Sequence, residues 1–210
     1  MARPDRPSRA RLDELKTQQR ARERRSRFLW IGGTSLAVLA IIGVVVFTVA
    51  RDVASRPTLD AVKTYEPSRN HVTTPVSYEQ SPPVGGDHNP IWLNCGVYDA
   101  PVPNENAVHS LEHGAVWVTY SPDLPSDQVD ALISSLPSEY VIVSPYKGLP
   151  SPVVASAWGT QLELDGVDDP RLTEFVREYR QGPQTPEPGA ACSGGTDGTG
   201  TGGAGMEQSP

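Results

Sequence analysis

The residues with the clearest capacity for chemistry are the four histidines of the chain, which all lie between positions 71 and 113. His109 and His113 stand four residues apart in the string HSLEH, so a helix would place both imidazoles on one face. Two imidazoles with this spacing can hold one metal ion, and Glu112 can add a ligand or orient a ring. His88 follows a Gly-Gly-Asp turn that can bring it close to the helix. We therefore predict a zinc or copper site made by His88, His109, His113 and Glu112.

Two other interpretations of the same residues stay open. The string His-x-x-Glu-His also matches a reversed zinc-peptidase pattern, in which Glu112 would activate water and a downstream acid such as Glu178 or Glu187 would complete the site. The pattern is short, the helix would be brief and the domain is small for that class, so enzyme activity is left undecided. In the third interpretation the histidines serve structure only, Glu112 pairs with an arginine such as Arg69, and the domain is an envelope interaction or scaffold module without metal.

An uncharged apolar run at residues 28–50, bracketed by Arg27 and Arg51, determines where this site would act. About 20 apolar residues in a helix suffice to cross a bilayer. The run is longer than the core of a cleaved signal peptide, and its basic leader is also longer. We therefore predict a single transmembrane helix, and an integral membrane protein.

Charge sets the expected orientation. Residues 1–27 contain ten Lys or Arg against four Asp or Glu, whereas the whole chain has a net charge of −7. Basic flanks of apolar spans stay in the cytoplasm, so residues 1–27 are expected to form a cytoplasmic tail and residues 51–210 to lie outside the cell membrane. The tail lacks aromatic residues interleaved with its charges, so we expect no nucleic-acid partner; an envelope protein remains a possible partner of the exported part.

The exported part contains both cysteines of the chain, Cys95 and Cys192. In an oxidising compartment such thiols tend to pair, so we predict an internal disulfide, with free thiols or an intermolecular bond as alternatives. Composition further divides this part into a tether at 51–65, a globular domain at 66–192 and a disordered Gly-rich tail at 193–210.

Within the domain, residues 66–106 are rich in Pro and Gly, which predicts ordered loops with short strands. Asn104 is expected to begin a short helix that Gly114 ends. The later pattern predicts strands at 115–120, 140–143, 153–158 and 160–164, with helices at 126–136 and from Asp169 to Gly182. This order suggests an α+β domain with a small mixed sheet and helices packed on one face.

The order of the motifs resembles that of domain-of-unknown-function family 3105. The similarity rests on PPVGGDH at 82–88, GVY at 96–98, HSLEHG at 109–114, AWG at 157–159, and PEP at 186–188 followed by Cys192. It covers about residues 65–192. Members of the family look like bacterial, largely actinobacterial, proteins with an N-terminal membrane anchor, so the resemblance implies the same topology and domain limits. It implies no activity. Asp87 departs from the usual motif, where Pro or a similar residue is expected, and it could add a ligand here.

Overall fold

The computed structural model describes residues 9–199, and the chain divides into two compact units between Arg56 and Pro57. The first unit is helix α1, Arg9–Ser55. Its Gly33–Ser55 part, with a mean hydropathy of 2.4, is long and apolar enough to cross a membrane. Part of the predicted cytoplasmic tail, residues 1–8, lies outside the described residues; the rest of that tail belongs to α1.

The second unit contains a mixed sheet of six strands. A mixed sheet was predicted from the sequence. The strands are β1 (Lys63–Thr64), β2 (Gly96–Val97), β3 (Val116–Tyr120), β4 (Val141–Pro145), β5 (Val153–Ala157) and β6 (Thr160–Leu164). They are arranged in the order β1-β6-β5-β3-β4-β2. β3 pairs with β4 and β4 with β2 in parallel, while the other pairs are antiparallel. The long central strands are buried throughout, so they form a rigid platform for the loops around them.

Three short helices flank this sheet: α2 (Asn104–Glu112), α3 (Ser126–Ser134) and α4 (Arg171–Tyr179). Helices α3 and α4 lie where the periodicity of apolar residues predicted helices, and α2 lies between the helix-end signals Asn104 and Gly114, with ends that differ by a few residues. A proline precedes the first residue of α3 and of α4, which suits a position where the backbone N–H has no helical partner.

The prediction that the helices pack on one face is wrong. Helices α3 and α4 contribute Leu132 and Phe175 to a core that includes Val116, Val118 and Val143. Helix α2 contributes Val108 and Leu111 to a second core with Trp117, Ile142 and Trp158. Along β3 and β4, the residues of the second core alternate with those of the first. Because side chains alternate across a strand, the two cores lie on opposite faces of the sheet. The near-continuous apolar sequences of β3 and β4 are typical of strands that are buried on both faces.

Strand pairing and backbone hydrogen bonds occur on both sides of residues 66–192, the predicted limits of the globular domain. The segment 51–65, expected to be a tether, contains the end of α1 and strand β1, whose Lys63 and Thr64 pair with Gln161 and Thr160. The first part of the expected disordered tail, residues 193–199, is held by backbone hydrogen bonds in which Asn94 N donates to Thr196 O and Thr196 N donates to Trp92 O. The rest of that tail, residues 200–210, lies outside the described residues.

The predicted disulfide is present between Cys95 and Cys192, with Cα atoms 5.3 Å apart. Next to it, Cys95 N donates a hydrogen bond to Cys192 O at 2.7 Å. The bridge therefore fastens the chain beyond Pro186 to the loop that precedes β2, on the same side of the sheet as α2.

Candidate metal centre

The C-terminal end of α2 carries three polar residues that are almost fully buried: His109, Glu112 and His113. The helix ends at this point because Gly114 takes a left-handed conformation, with φ of 93°. Three carbonyls at the helix end accept hydrogen bonds from the chain that follows α4. Glu187 N donates to Glu112 O, the Gln181 side-chain amide donates to His113 O, and Gln181 N donates to Gly114 O. The same contacts bring Glu187 beside the buried histidines.

A turn made by Gly85 and Gly86, both with positive φ, delivers His88 to this helix end. A Cβ atom on Gly85 would collide with the Pro67 ring, so the turn demands glycine there. His88 is completely buried, and its imidazole meets the Trp158 ring edge-to-face at 5.8 Å between centroids. The structure places His88 next to the end of α2, where its Nε2 lies 2.9 Å from a Glu112 carboxylate oxygen.

Asp87, which we considered as an added ligand, points to other partners. Its carboxylate accepts hydrogen bonds from Ser68 Oγ at 2.7 Å and Asn70 Nδ2 at 2.9 Å. Both hydrogen bonds lower the pKa of Asp87, and the one from Ser68 has the larger effect. Asp87 thus fixes the segment that precedes His71 rather than facing the histidines.

The structure adds His71, which the sequence analysis did not select as a ligand. Residues 70–72 run parallel to the His88 segment, with His88 N donating to Asn70 O at 3.0 Å and Val72 N donating to His88 O at 2.7 Å. This pairing stacks the His71 imidazole on that of His109, with centroids 4.9 Å apart and planes 7° from parallel. The only sequence signal for His71 was its membership in the histidine cluster between positions 71 and 113.

The three buried imidazoles share one feature, which is a backbone carbonyl beside Nδ1. His88 Nδ1 lies 2.7 Å from Gly86 O, His109 Nδ1 lies 2.6 Å from Asn89 O, and His113 Nδ1 lies 2.6 Å from Ala191 O. A carbonyl oxygen can only accept, so each Nδ1 must carry the proton. In the neutral form of each ring, this hydrogen bond leaves the Nε2 lone pair facing the interior of the cluster, which is the tautomer that metal-binding histidines usually have.

These Nε2 atoms face other acceptors at short distances. His109 Nε2 lies 3.0 Å from His113 Nε2, and His88 Nε2 lies 2.9 Å from a Glu112 carboxylate oxygen. His71 Nε2 lies 3.6 Å from the same Glu112 oxygen. Lone pairs that face each other at this range repel, so each pair needs a shared proton or a cation between its atoms. Ligand atoms around a tetrahedral zinc ion, with bonds of ~2.0 Å, lie ~3.3 Å apart, a spacing close to those found here.

Burial disfavours a proton on His109. Burial is the main reason that the pKa of His109 is lowered from 6.5 to about 4; the hydrogen bond to Asn89 opposes the shift, and the neighbouring imidazoles add to it. The His109 ring is therefore neutral at pH 7 and available as a ligand. The partial negative charge at the C-terminal end of α2 also stabilises a cation placed there.

Two side chains connect the cluster to solvent. The His71 side chain is 48% exposed and the Glu187 side chain is 53% exposed, whereas Glu112 is only 6% exposed. The Trp92 ring packs beside the cluster, with its centroid 5.2 Å from that of His113. The cluster is thus buried on most sides and open to solvent through His71 and Glu187.

The predicted site residues come together, although not all in one tight group. His71, His88, His109 and Glu112 each offer a ligand atom within 4.8 Å of the others. His113 is joined to them through its contact with His109. Glu112 faces His88 and His71 rather than Arg69, which is exposed. Of the two acids nominated for a peptidase, Glu187 lies 3.6 Å from His113 Nε2, whereas Glu178 is exposed on α4.

Comparison with known proteins places most of the globular domain in one family. The family described as "Protein of unknown function (DUF3105)" matches residues 71–194, a range that contains all four histidines and both cysteines. The comparisons with curated proteins and with solved structures gave no match. Since the match spans more than half of the chain, this protein belongs to the DUF3105 family.

Proposed function

We propose that the domain binds a transition-metal ion at the end of α2, on the outer side of a membrane to which α1 anchors it. His71, His88, His109 and Glu112 are the ligands in this proposal, with His113 directly beside His109. Copper or zinc binding at the cell surface is the function that this arrangement supports best.

One observation carries the proposal. Three buried imidazoles each have Nδ1 tied to a backbone carbonyl, so that their Nε2 lone pairs converge on each other and on Glu112. A fold that used these histidines only as core residues would leave buried lone pairs opposed at 2.9–3.0 Å wherever no proton is shared between them. A cation among them removes that cost.

The donor set supports zinc or copper rather than another ion. Imidazole nitrogen suits Zn²⁺ and Cu²⁺, whereas Mg²⁺ and Ca²⁺ prefer sites made of oxygen. Thiolate, which would favour Cu⁺, is absent because both cysteines are in the disulfide.

The membrane topology is part of the proposal. Its support is the apolar Gly33–Ser55 helix and the excess of Lys and Arg before it. The disulfide between Cys95 and Cys192 agrees with an oxidising compartment. The topology can be tested by labelling with a membrane-impermeant thiol reagent. Single cysteines are introduced near residue 5 or near residue 150 of a cysteine-free chain. Only the second should be labelled in intact cells, and labelling of only the first would reverse the topology.

Metal binding is tested by titrating full-length protein in detergent, stripped with a chelator, with Zn²⁺ or Cu²⁺ in a calorimeter. We expect saturable binding, weakened at least tenfold by His71→Gln, which changes a half-exposed side chain and so spares the core. Glu178→Gln is the matched control, because Glu178 is exposed on α4, and it should bind as the parent does. Protein that takes up neither ion while giving the circular dichroism of a folded domain would leave a scaffold in which His88 and Glu112 form a buried ion pair.

A further inference from the structure

The shortest contacts in the cluster divide the ligand atoms into two sets. In one, a Glu112 oxygen lies 2.9 Å from His88 Nε2 and 3.6 Å from His71 Nε2. In the other, His113 Nε2 lies 3.0 Å from His109 Nε2 and 3.6 Å from a Glu187 oxygen. Each set has two imidazoles and one carboxylate, and the distances in the two sets are the same within 0.1 Å.

His113 lies outside the group of His71, His88, His109 and Glu112, whose ligand atoms lie within 4.8 Å of one another. His109 and His113 each have one ring nitrogen committed to a backbone carbonyl, so each offers a single remaining donor, and the two donors face each other. His113 Nε2 also lies 3.6 Å from a carboxylate oxygen of Glu187, whose backbone N–H donates a hydrogen bond to Glu112 O. An ion there would be held by donors from α2 and from the loop after α4.

We propose that the cluster is a dinuclear centre, with a second transition-metal ion bound by His109, His113 and Glu187 beside the ion bound by His71, His88 and Glu112. This inference rests on the proposed metal binding and adds a second position to it. When only one ion is bound, His109 can complete the first position, as its place within 4.8 Å of His71, His88 and Glu112 allows.

Two features independent of the distances support the second position. Ala191 O, which orients His113, immediately precedes Cys192, so the disulfide fixes that ring in place. The Glu187 side chain is half exposed, so a cation can reach it from solvent. Two imidazoles with one carboxylate also leave coordination positions open for water, as in metal sites that do chemistry.

The test counts ions in full-length, metal-stripped protein titrated with Zn²⁺ in a calorimeter and checked by elemental analysis after gel filtration. We expect two equivalents, and Glu187→Gln should retain the first while weakening the second at least tenfold. Glu187 contributes only its backbone N–H to the packing of α2, which Gln preserves, so this variant is expected to fold. Glu178→Gln, an exposed acid on α4, should leave both equivalents unchanged.

Loading with two equivalents of Cu²⁺ provides a second readout. Two copper ions bound in adjacent sets should broaden each other's electron paramagnetic resonance signal, and Glu187→Gln should restore the spectrum of an isolated ion. Saturation at one equivalent, or a second equivalent that Glu187→Gln leaves unchanged, would overturn the dinuclear centre while metal binding stands. Uptake of no ion would overturn both proposals.

Discussion

The disulfide is expected to contribute both to stability and to the geometry of the centre. Cys95 and Cys192 are separated by 97 positions, so their bond closes a loop of nearly a hundred residues. The loss of chain entropy in the unfolded state for such a loop corresponds to about 4.7 kcal/mol at 25 °C. Because Ala191 O orients the His113 ring, the same bond also limits the movement of a candidate ligand.

The perturbation is the double change of Cys95 and Cys192 to Ser in the full chain. We expect the free energy of unfolding of the globular domain to fall by about 4–5 kcal/mol. Urea titrations monitored by tryptophan fluorescence measure this change. Metal affinity should also fall roughly tenfold or more, since the orienting carbonyl is no longer fixed. The single change Cys95→Ser should cost as much as the double change, and reductant should destabilise only the parent protein.

Two results would refute this reasoning. A stability loss below about 1 kcal/mol would mean that the chain between the cysteines is already constrained without the bond. A full loss of stability with unchanged metal affinity would mean that the hydrogen bonds of residues 187–196 hold His113 by themselves.

Three further predictions concern other parts of the domain. Hydrogen bonds from Arg171 hold the pKa of Asp169 at about 2 instead of 3.8, so its charged form stabilises the fold above pH 4 and this contribution is lost as the pH falls toward 2. Asp169→Asn should therefore cost about 1–2 kcal/mol at pH 7 and little at pH 2, and an equal cost in urea titrations at both values would contradict this. Phe175→Ala should cost about 3–5 kcal/mol by the same measurement, because the ring is completely buried in the core beside α4; a cost under 1 kcal/mol would refute that packing. Asp87→Ala should weaken Zn²⁺ binding roughly tenfold, because it releases the segment before His71. Asp123→Ala changes an exposed carboxylate and should leave the affinity unchanged. Equal affinities of the two variants would show that the segment before His71 needs no anchor.

The regular elements near the site followed from local patterns. Helix α2 was predicted because Asn104 and Gly114 are typical of helix ends, and it fixed the relation of His109 to His113. Strands β5 and β6 were predicted from β-branched and apolar runs on either side of Gly159, which turns between them with φ of 65°. The disulfide was predicted because the chain has only two cysteines and the part that contains them was expected to be exported.

The remaining features depend on contacts between distant parts of the chain. His71 joins the cluster because Asp87 holds Ser68 and Asn70, and no periodicity in residues 66–72 reveals that pairing. Residues 193–199 look disordered by composition, yet they pair with residues 92–94. Helix α2 lies on the face of the sheet opposite α3 and α4, because β3 is buried on both faces. The apolar sequence of β3 is typical of such a strand, but it does not specify which helix covers which face.

The most direct test of metal coordination by these histidines is X-ray absorption spectroscopy at the zinc or copper edge of the metal-loaded, full-length protein. We predict a first shell at ~2.0 Å in which imidazole nitrogen predominates, with at least one carboxylate oxygen. Imidazole scattering should decrease in His71→Gln and stay unchanged in Glu178→Gln. A shell without imidazole, or a protein that retains no metal after gel filtration, would contradict the account.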